Sequence, residues 1–511
     1  MRSLLFSSIT FLYYFLPAVL VIYYLTPAKV KNLILFLASF VFYLWGEPKY
    51  SVLLLFSVAV GYMGGRCIEY QRQKKCVCAA DPADRSGKYK GGHDRLVVGI
   101  FTAMTLGLLV FFKYMDFLAD SVNRILGTHV PMVQIALPVG ISFYTFQIIS
   151  YYVDVYRGEV AAEHNFVDFV AYVTMFPQLI AGPIVRFQSV QAELKHREIT
   201  WEKNGDGAAR FVCGLCKKVL IADSLATFVQ TLQNISETAA KAESAVTAGI
   251  RAEGAGIGTL GYWVLALAFM LQLYYDFSGY SDMAIGLGKI LGFTFPENFR
   301  YPFISKSISE FWRRWHMTLG GWFRDYLYIP LGGNRKGIAR RDANLLLTFL
   351  VSGLWHGANW TFLVWGGLHG LCQAAEDHMP APLRKRKSLP LRIVGVPLTF
   401  AIFVTTFTIF RTSSLGNAAA YFAGILHNPG HEVFAQYWLL GLTSKLELLL
   451  LLLGIALLVL VDVLHECGLH LRAWVNAAPR PVRWAVYEFA IFAFLLMASF
   501  YSNTGFLYAR F

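Results

Sequence analysis

Charge is scarce in this chain. Only 15% of its 511 residues are Asp, Glu, Lys or Arg, where a soluble protein carries about 25%. No polar body is present on which a basic, nucleic-acid-binding surface could sit. The formal net charge of +13 is carried by loops between apolar runs, the pattern of cytoplasmic loops in a membrane protein. Cysteine is sparse too: Cys67, Cys76, Cys78, Cys213, Cys216, Cys372 and Cys467 are odd in number and scattered, which gives no disulfide framework. Cys213 and Cys216 form a CxxC pair with no second ligand pair nearby and read as small hydrophobes on one helix face. Cys76 and Cys78 fall in a basic loop placed in the reducing cytoplasm. The chain lacks a P-loop, a dinucleotide fingerprint and any cluster with the ligand spacing of a structural zinc site. No internal repeat and no soluble domain is visible, which leaves one integral domain over residues 1–511.

What the chain has instead is apolar length. Hydrophobic residues make up 56%, mean hydropathy is +0.48, and runs of about the 20 residues that span a bilayer recur from end to end. They are too long and too continuous for barrel strands. The predicted fold is therefore all-α: a polytopic integral membrane protein with roughly 11–13 transmembrane or re-entrant helices. Leu4–Leu25 exceeds a signal-peptide core of roughly 7–15 residues and reads as an uncleaved first span. Further spans are predicted at Leu33–Trp45, Ser51–Gly65, Leu96–Phe117, Phe211–Leu232, Tyr262–Leu291, Val394–Ile409, Leu446–Val463 and Trp484–Phe500. Pro138 and Gly140 inside Ile135–Gly158 predict a kinked or two-part helix. The basic loops at 67–95, 154–165 and 184–206 can share the cytoplasmic side only if the short, Pro-broken segment Phe166–Pro183 enters and returns, so a re-entrant limb is predicted there. The polar stretch Asn234–Glu253 is expected outside, and the basic run Arg384–Lys387 in the cytoplasm.

Ionisable residues within such a chain are costly and point to function. Asp276 and Asp282 fall at mid-membrane depth by count, six apart, so they do not share a helical face. Asp276 is either a structural carboxylate, satisfied by neighbouring hydroxyls or an arginine, or it lines a site. The stretch Glu297–Gly333, ENFRYPFISKSISEFWRRWHMTLGGWFRDYLYIPLGG, crowds arginines, aromatics and His316 between apolar segments. That composition suits amphipathic, interfacial or re-entrant helices buried in protein. After the basic loop Asn334–Asp342, Ala343–Trp355 is predicted to run inward by about 20 Å. It brings His356 to the central or outer part of a hydrocarbon core about 30 Å thick, and Thr361–Leu371 returns. Asn359 follows His356 by three residues, and a continued helix would put both on one face. His369 reads as structural.

These residues resemble the membrane-bound O-acyltransferase superfamily, and within it the bacterial branch that works in polysaccharide O-acetylation, typified by alginate O-acetyltransferase membrane subunits. The similarity covers nearly the whole chain and is densest in FPQLIAGPIVRF (Phe176–Phe187), YYDFSGYSDMAIG (Tyr274–Gly286), the stretch Glu297–Gly333 and LWHGANWTFLVWGGLHG (Leu354–Gly370). The resemblance implies a ring of helices around a central funnel, in a bacterial inner membrane. It implies that acetyl passes from cytoplasmic acetyl-CoA, a donor rather than a bound cofactor, to an exocellular polysaccharide such as alginate, with a periplasmic or cell-surface O-acetyltransferase as partner. It also implies His356 as the catalytic residue and His316 as the second site position. Two alternatives stand beside it: D-alanyl transfer from a carrier protein to teichoic acid, and a non-catalytic acyl or glycan conduit.

Acyl transfer from a thioester to a hydroxyl needs a base, donors for the oxyanion and alignment of both substrates. Burial favours neutral imidazole, so His356 in an apolar wall is able to accept a proton. His316 would orient the acyl group, donate to the oxyanion or hold the architecture. Asn359 would orient the His356 imidazole or donate to the oxyanion. Arg313, Arg314 and Arg324 would meet the phosphates of coenzyme A, since guanidinium matches phosphate bidentately, or anchor the chain at the cytoplasmic face.

Overall fold

Backbone hydrogen bonds in lipid have to close within each segment or within a barrel, and among the described residues there is helix and no strand. The computed structural model describes residues 6–78, 92–234, 259–380, 389–427, 445–469 and 471–497. The polar stretch after Asn234, the basic run Arg384–Lys387, residues 79–91 of the first basic loop and the end of the Trp484–Phe500 span lie outside the described residues. Five of the described helices are long and apolar enough to cross a membrane: Ala28–Gly46, Pro48–Gln73, Asp94–Leu126, Thr259–Ile290 and Pro390–Arg411. The protein is a multi-pass, all-α membrane protein.

The chain forms two compact units, interleaved in sequence. The first takes Met1–Phe211, Ser281–Glu297 and Gly321–Leu327; the second takes Val212–Tyr280, Asn298–Gly320 and Tyr328–Phe511.

The first unit contains α1 (Leu16–Leu25), α2 (Lys31–Gly46), α3 (Ser51–Cys78), α4 (Gly92–Leu126), α5 (Ile141–Arg157), α6 (Phe166–Thr174), α7 (Phe176–Leu179) and α8 (Phe187–Lys195). Helix α5 is buried on nearly every side and packs on α3 and α4. Glycines on α3 make room for it: a Cβ at Gly61 would lie 2.7 Å from the Ile148 side chain. The kinked span expected over Ile135–Gly158 is not formed. Helix starts only at Ile141, and Pro138 and Gly140 lie in the turn ahead of it, with Gly140 at φ 79°. A proline and a left-handed glycine both end helical hydrogen bonding, so they set the helix start rather than bend its middle. The segment Phe166–Pro183 is broken, as its prolines predict. Helix α6 stops at Thr174, because Pro177 has no N–H to offer residue 173 and its ring crowds that carbonyl. At about 14 Å, α6 is far shorter than a hydrocarbon core.

Several helices outrun their predicted spans, α3 and α4 most of all. Hydropathy marks the apolar part of a helix, not its ends. Beyond it, charged turns continue the helix with pairs at i,i+3 and i,i+4 spacing, such as Arg66–Glu69 at 2.6 Å and Asp120–Arg124 at 2.9 Å.

Helices α9 (Trp201–Cys216) and α10 (Thr259–Ile290) contribute residues to both units. After α9 the chain makes a wide π turn, Lys217–Ala222. The second unit then draws on α11 (Ile308–Trp312), the start of α12 (Met317–Phe323), α13 (Ile338–His356), α14 (Trp360–His378) and α15 (Leu389–Arg411). Helix α13 begins before the predicted Ala343 and takes in Arg340, Arg341 and Asp342. It pairs with α14 as a hairpin in which backbone meets backbone: a methyl group on Gly353 would overlap the Phe362 carbonyl oxygen, and one on Gly366 the Phe349 carbonyl oxygen. Membrane helices gain little from mutual hydrophobicity, so such close approach of small residues carries their association.

Gly366→Ala should therefore splay the hairpin. The expected loss is about 1–3 kcal/mol, read as a lowered melting temperature of the purified protein in detergent. Gly367→Ala, whose Cβ would meet only the Leu350 side chain at 3.5 Å, should melt as the parent does.

Candidate active site

Two chain reversals in the second unit bring two histidines together. Helix α13 ends at His356. Gly357 is extended, so the chain leaves the helix at that point and turns back into α14; a side chain there would run into the Phe362 ring, which leaves room only for glycine. Asn359 caps α14: its Oδ1 accepts from the Thr361 N–H at 3.0 Å, and its Nδ2 donates to the Ser413 carbonyl at 2.7 Å. The expectation that Asn359 shares a helical face with His356 is therefore corrected. The helix does not continue, and both ends of the Asn359 amide are engaged in capping and in tying down the following loop.

His316 lies in the turn between α11 and α12 with φ 45°. A left-handed conformation costs a residue with a Cβ of order 1–3 kcal/mol, and the surrounding backbone holds it. The Arg300 N–H donates to the Arg314 carbonyl at 2.9 Å, the Met317 N–H to the Asn298 carbonyl at 2.9 Å and the Gly320 N–H to the His316 carbonyl at 3.0 Å. The side chain is held as well. His316 Nδ1 is 2.9 Å from Asn298 Oδ1, and the Thr318 hydroxyl donates to the same oxygen at 2.9 Å. An amide oxygen only accepts, so this assignment gives Nδ1 the proton and leaves the lone pair of neutral His316 on Nε2.

The two imidazoles lie 6.5 Å apart between ring centroids, and both are buried. Trp355 is 5.0 Å from His356 and 6.2 Å from His316. Trp365 and Phe410 close on His356 at 5.2 and 5.5 Å. Phe277 meets His316 edge-on at 4.7 Å. Aromatic rings thus line both imidazoles.

Asp276, next to Phe277, sits 2.6 Å from the Lys218 ammonium, which also lies 2.8 Å from Asp223. All three are buried. The ionic partner of Asp276 is thus a lysine of the π turn, where a hydroxyl or an arginine was expected. Asp282, in the first unit, pairs with Arg210 at 2.7 Å.

The three arginines fare differently. Arg314 is engaged by Glu310 at 2.8 Å and by both oxygens of Glu466 at 2.6 and 2.9 Å. Arg324, in the first unit, is engaged by Asp325 at 2.7 and 3.1 Å. Burial pulls the Asp325 pKa upward, but hydrogen bonds from Arg324 and Arg186 outweigh it and hold the carboxyl below its usual range. Arg313 is exposed and, among the described residues, its side chain has no ion-pair partner. Among the described residues no three His, Cys, Asp or Glu side chains gather as a metal site.

Sequence reasoning passed over Asn298, although it stands at the head of the arginine-rich stretch; its partner His316 is 18 residues on, across Pro302 and two turns, so no single helix face joins them. Lys218 was visible as a charge within an apolar run, but nothing in the sequence joins it to Asp276.

Residues 155–413 match the profile of the MBOAT, membrane-bound O-acyltransferase family. The chain is 42% identical over 419 residues to the probable alginate O-acetylase of Pseudomonas aeruginosa, covering 81% of this chain and 73% of that one. It is 33% identical over 455 residues to a peptidoglycan O-acetyltransferase of Helicobacter pylori, covering 83% and 80%. It is 27% identical over 290 residues to a teichoic acid D-alanyltransferase of Bacillus subtilis, covering 53% and 68%.

Asn298→Ala removes the acceptor shared by His316 and Thr318. The expected result is a loss of about 1–3 kcal/mol and a fall in acyl transfer of about tenfold or more, measured on purified protein beside its melting curve. Lys218→Met leaves two buried carboxylates without their ammonium; a loss of about 3–5 kcal/mol is expected, seen as a melting temperature well below that of the parent.

Proposed function

The chain belongs to the membrane-bound O-acyltransferase family, and on that footing we propose that it transfers acetyl from cytoplasmic acetyl-CoA, across a bacterial inner membrane, for O-acetylation of an exocellular polysaccharide such as alginate. An O-acyltransferase is an enzyme, which sets aside the non-catalytic conduit. The acetyl group and the polysaccharide are suggested by the relatives' names; a periplasmic or cell-surface O-acetyltransferase would complete delivery.

The observation that carries the reading is the approach of His356 to His316, at 6.5 Å, inside a buried aromatic enclosure. His356 accepts the proton of the acceptor hydroxyl as its oxygen attacks the thioester carbonyl carbon. The C–O bond forms, the C–S bond breaks, and the leaving thiolate takes the proton back from His356. His356 is the last residue of α13, where the helix dipole stabilises the positive charge that develops on the ring. His316 donates Nδ1–H to Asn298 and so, while neutral, has no second N–H for an oxyanion. Its role in this scheme is to orient the acyl group and to hold the wall opposite His356. Arg313 is the arginine best placed by its freedom from carboxylates to meet a donor phosphate, and Asp276 supports the wall through Lys218.

His356→Ala should lower turnover of radiolabelled acetyl-CoA by about 10²–10⁴-fold while the protein stays folded, with its melting temperature lowered by the cavity left among Trp355, Trp365 and Phe410. Turnover at the parental rate would sink the assignment. Labelled D-alanine presented on a carrier protein should give no product; transfer from that donor in place of acetyl-CoA would favour the D-alanyl reading.

A further inference from the structure

A third histidine of the second unit has no part in the scheme above. His369 lies one turn beyond Trp365 on α14 and is fully buried. Its ring stacks on Phe403 at 4.8 Å and meets the edges of Trp312 and Trp365, each at 5.1 Å. Among the described residues neither of its ring nitrogens has a hydrogen-bond partner. The same is true of the indole Nε1 of Trp312, the indole Nε1 of Trp365 and the amide Oε1 of Gln373.

These atoms are not scattered. Trp365, His369 and Gln373 recur every fourth residue, and Thr361, whose buried hydroxyl also lacks a partner among the described residues, extends the series back towards the reversal after His356. Residues four apart are neighbours on a helix, so Trp365 and the half-buried Gln373 lie one turn either side of His369, whose ring stands in the aromatic interior. Neutral imidazole always brings one N–H and one lone pair. Indole brings a donor and the glutamine oxygen an acceptor. Such a set, buried together, is complementary to a small molecule that both donates and accepts, and internal water typically makes about three such bonds. If the cage only needed filling, phenylalanine would fill it without stranding polar atoms.

Trp365 links this stripe to the reaction. Its ring is 5.2 Å from His356 on one side and 5.1 Å from His369 on the other. We propose that His369 is a positioning residue of the transfer site: with the indole N–H groups of Trp312 and Trp365 and the Gln373 oxygen it holds internal water, and that water locks Trp365 in its contact with His356. The inference rests on His356 being the proton acceptor. A wall that lets His356 drift from the attacking hydroxyl slows the chemical step without weakening donor binding, so the effect belongs in kcat and not in KM.

The test uses the full chain in lipid nanodiscs with radiolabelled acetyl-CoA. His369→Phe should melt at or above the parental temperature, keep KM for acetyl-CoA within about twofold and lose kcat by about tenfold or more. His369→Gln, which restores a donor and an acceptor, should recover most of that loss. His369→Phe with parental kcat would overturn the proposal and make His369 a packing residue. Should the Phe variant not fold, His369→Leu against His369→Gln decides: Gln well above Leu in kcat supports the water site, and equal rates overturn it. His356→Ala in the same assay separates the two ideas. If it turns over at the parental rate, the reading of His356 fails and this inference with it; if it is inactive while His369→Phe is normal, only the inference about His369 fails.

Discussion

The site depends on one hydrogen bond, from His316 Nδ1 to Asn298 Oδ1 at 2.9 Å. Both groups are buried, and in such surroundings each would be costly without the other. The bond does more than satisfy them. It accompanies a left-handed backbone at His316 that the chain would not adopt unaided, and it decides which ring nitrogen carries the proton. Geometry and protonation are set by the same contact. The Met317–Asn298 backbone bond ties the same two segments a second time, so the turn is clamped by main chain and side chain together. His356 is held by a different device, a helix end followed by a reversal that Gly357 alone has room to make. The two imidazoles thus stand at opposite helix polarities: His356 closes α13, and His316 immediately precedes α12. The dipole favours positive charge at the first position and opposes it at the second. Environments that separate two titratable groups in this way suit them to different tasks, in keeping with the proton-accepting role proposed for His356.

Much of this was legible in the chain, for a physical reason. Lipid permits few solutions for a backbone, so long apolar runs translate directly into helices, and an ionisable residue within them stands out against a plain background. His316, His356 and Asp276 were visible on those grounds. What the pattern did not carry was where helices stop. Asn359 was assigned to the face of His356 because spacing alone cannot see that Gly357 leaves the helix; that a side chain at this position would meet Phe362, five residues on, is evident only in the folded hairpin. The same limit hid the ends of α3 and α4, whose charged turns look like loop in a hydropathy plot. Partners distant in sequence were equally hidden. Asn298 with His316, and Lys218 with Asp276, are matched by folding and not by period. His369 was read as structural; that its ring nitrogens have no partner among the described residues emerges only when the neighbouring side chains are placed.

The arginines show why charge counting misleads near such a site. Arg313 and Arg314 are adjacent, yet their availability differs completely. Arg314 makes charge-assisted bonds to Glu310 and to both oxygens of Glu466, a carboxylate 152 residues away. A guanidinium has five N–H donors in a fixed fork, and this fork is already matched. A donor phosphate could reach it only by displacing a carboxylate, leaving that carboxylate to find new partners. Arg314 therefore serves the turn that carries His316, by fastening it to the end of the helix Lys445–Glu466. Arg313 has no such obligation among the described residues and faces outward. In an interior this poor in charge, the buried Lys218 is matched by two carboxylates, Asp223 and Asp276, while the buried Lys113 donates to the Ser142 hydroxyl. On the proposed reading, an anionic donor is met by cations such as Arg313 that have no carboxylate partner among the described residues.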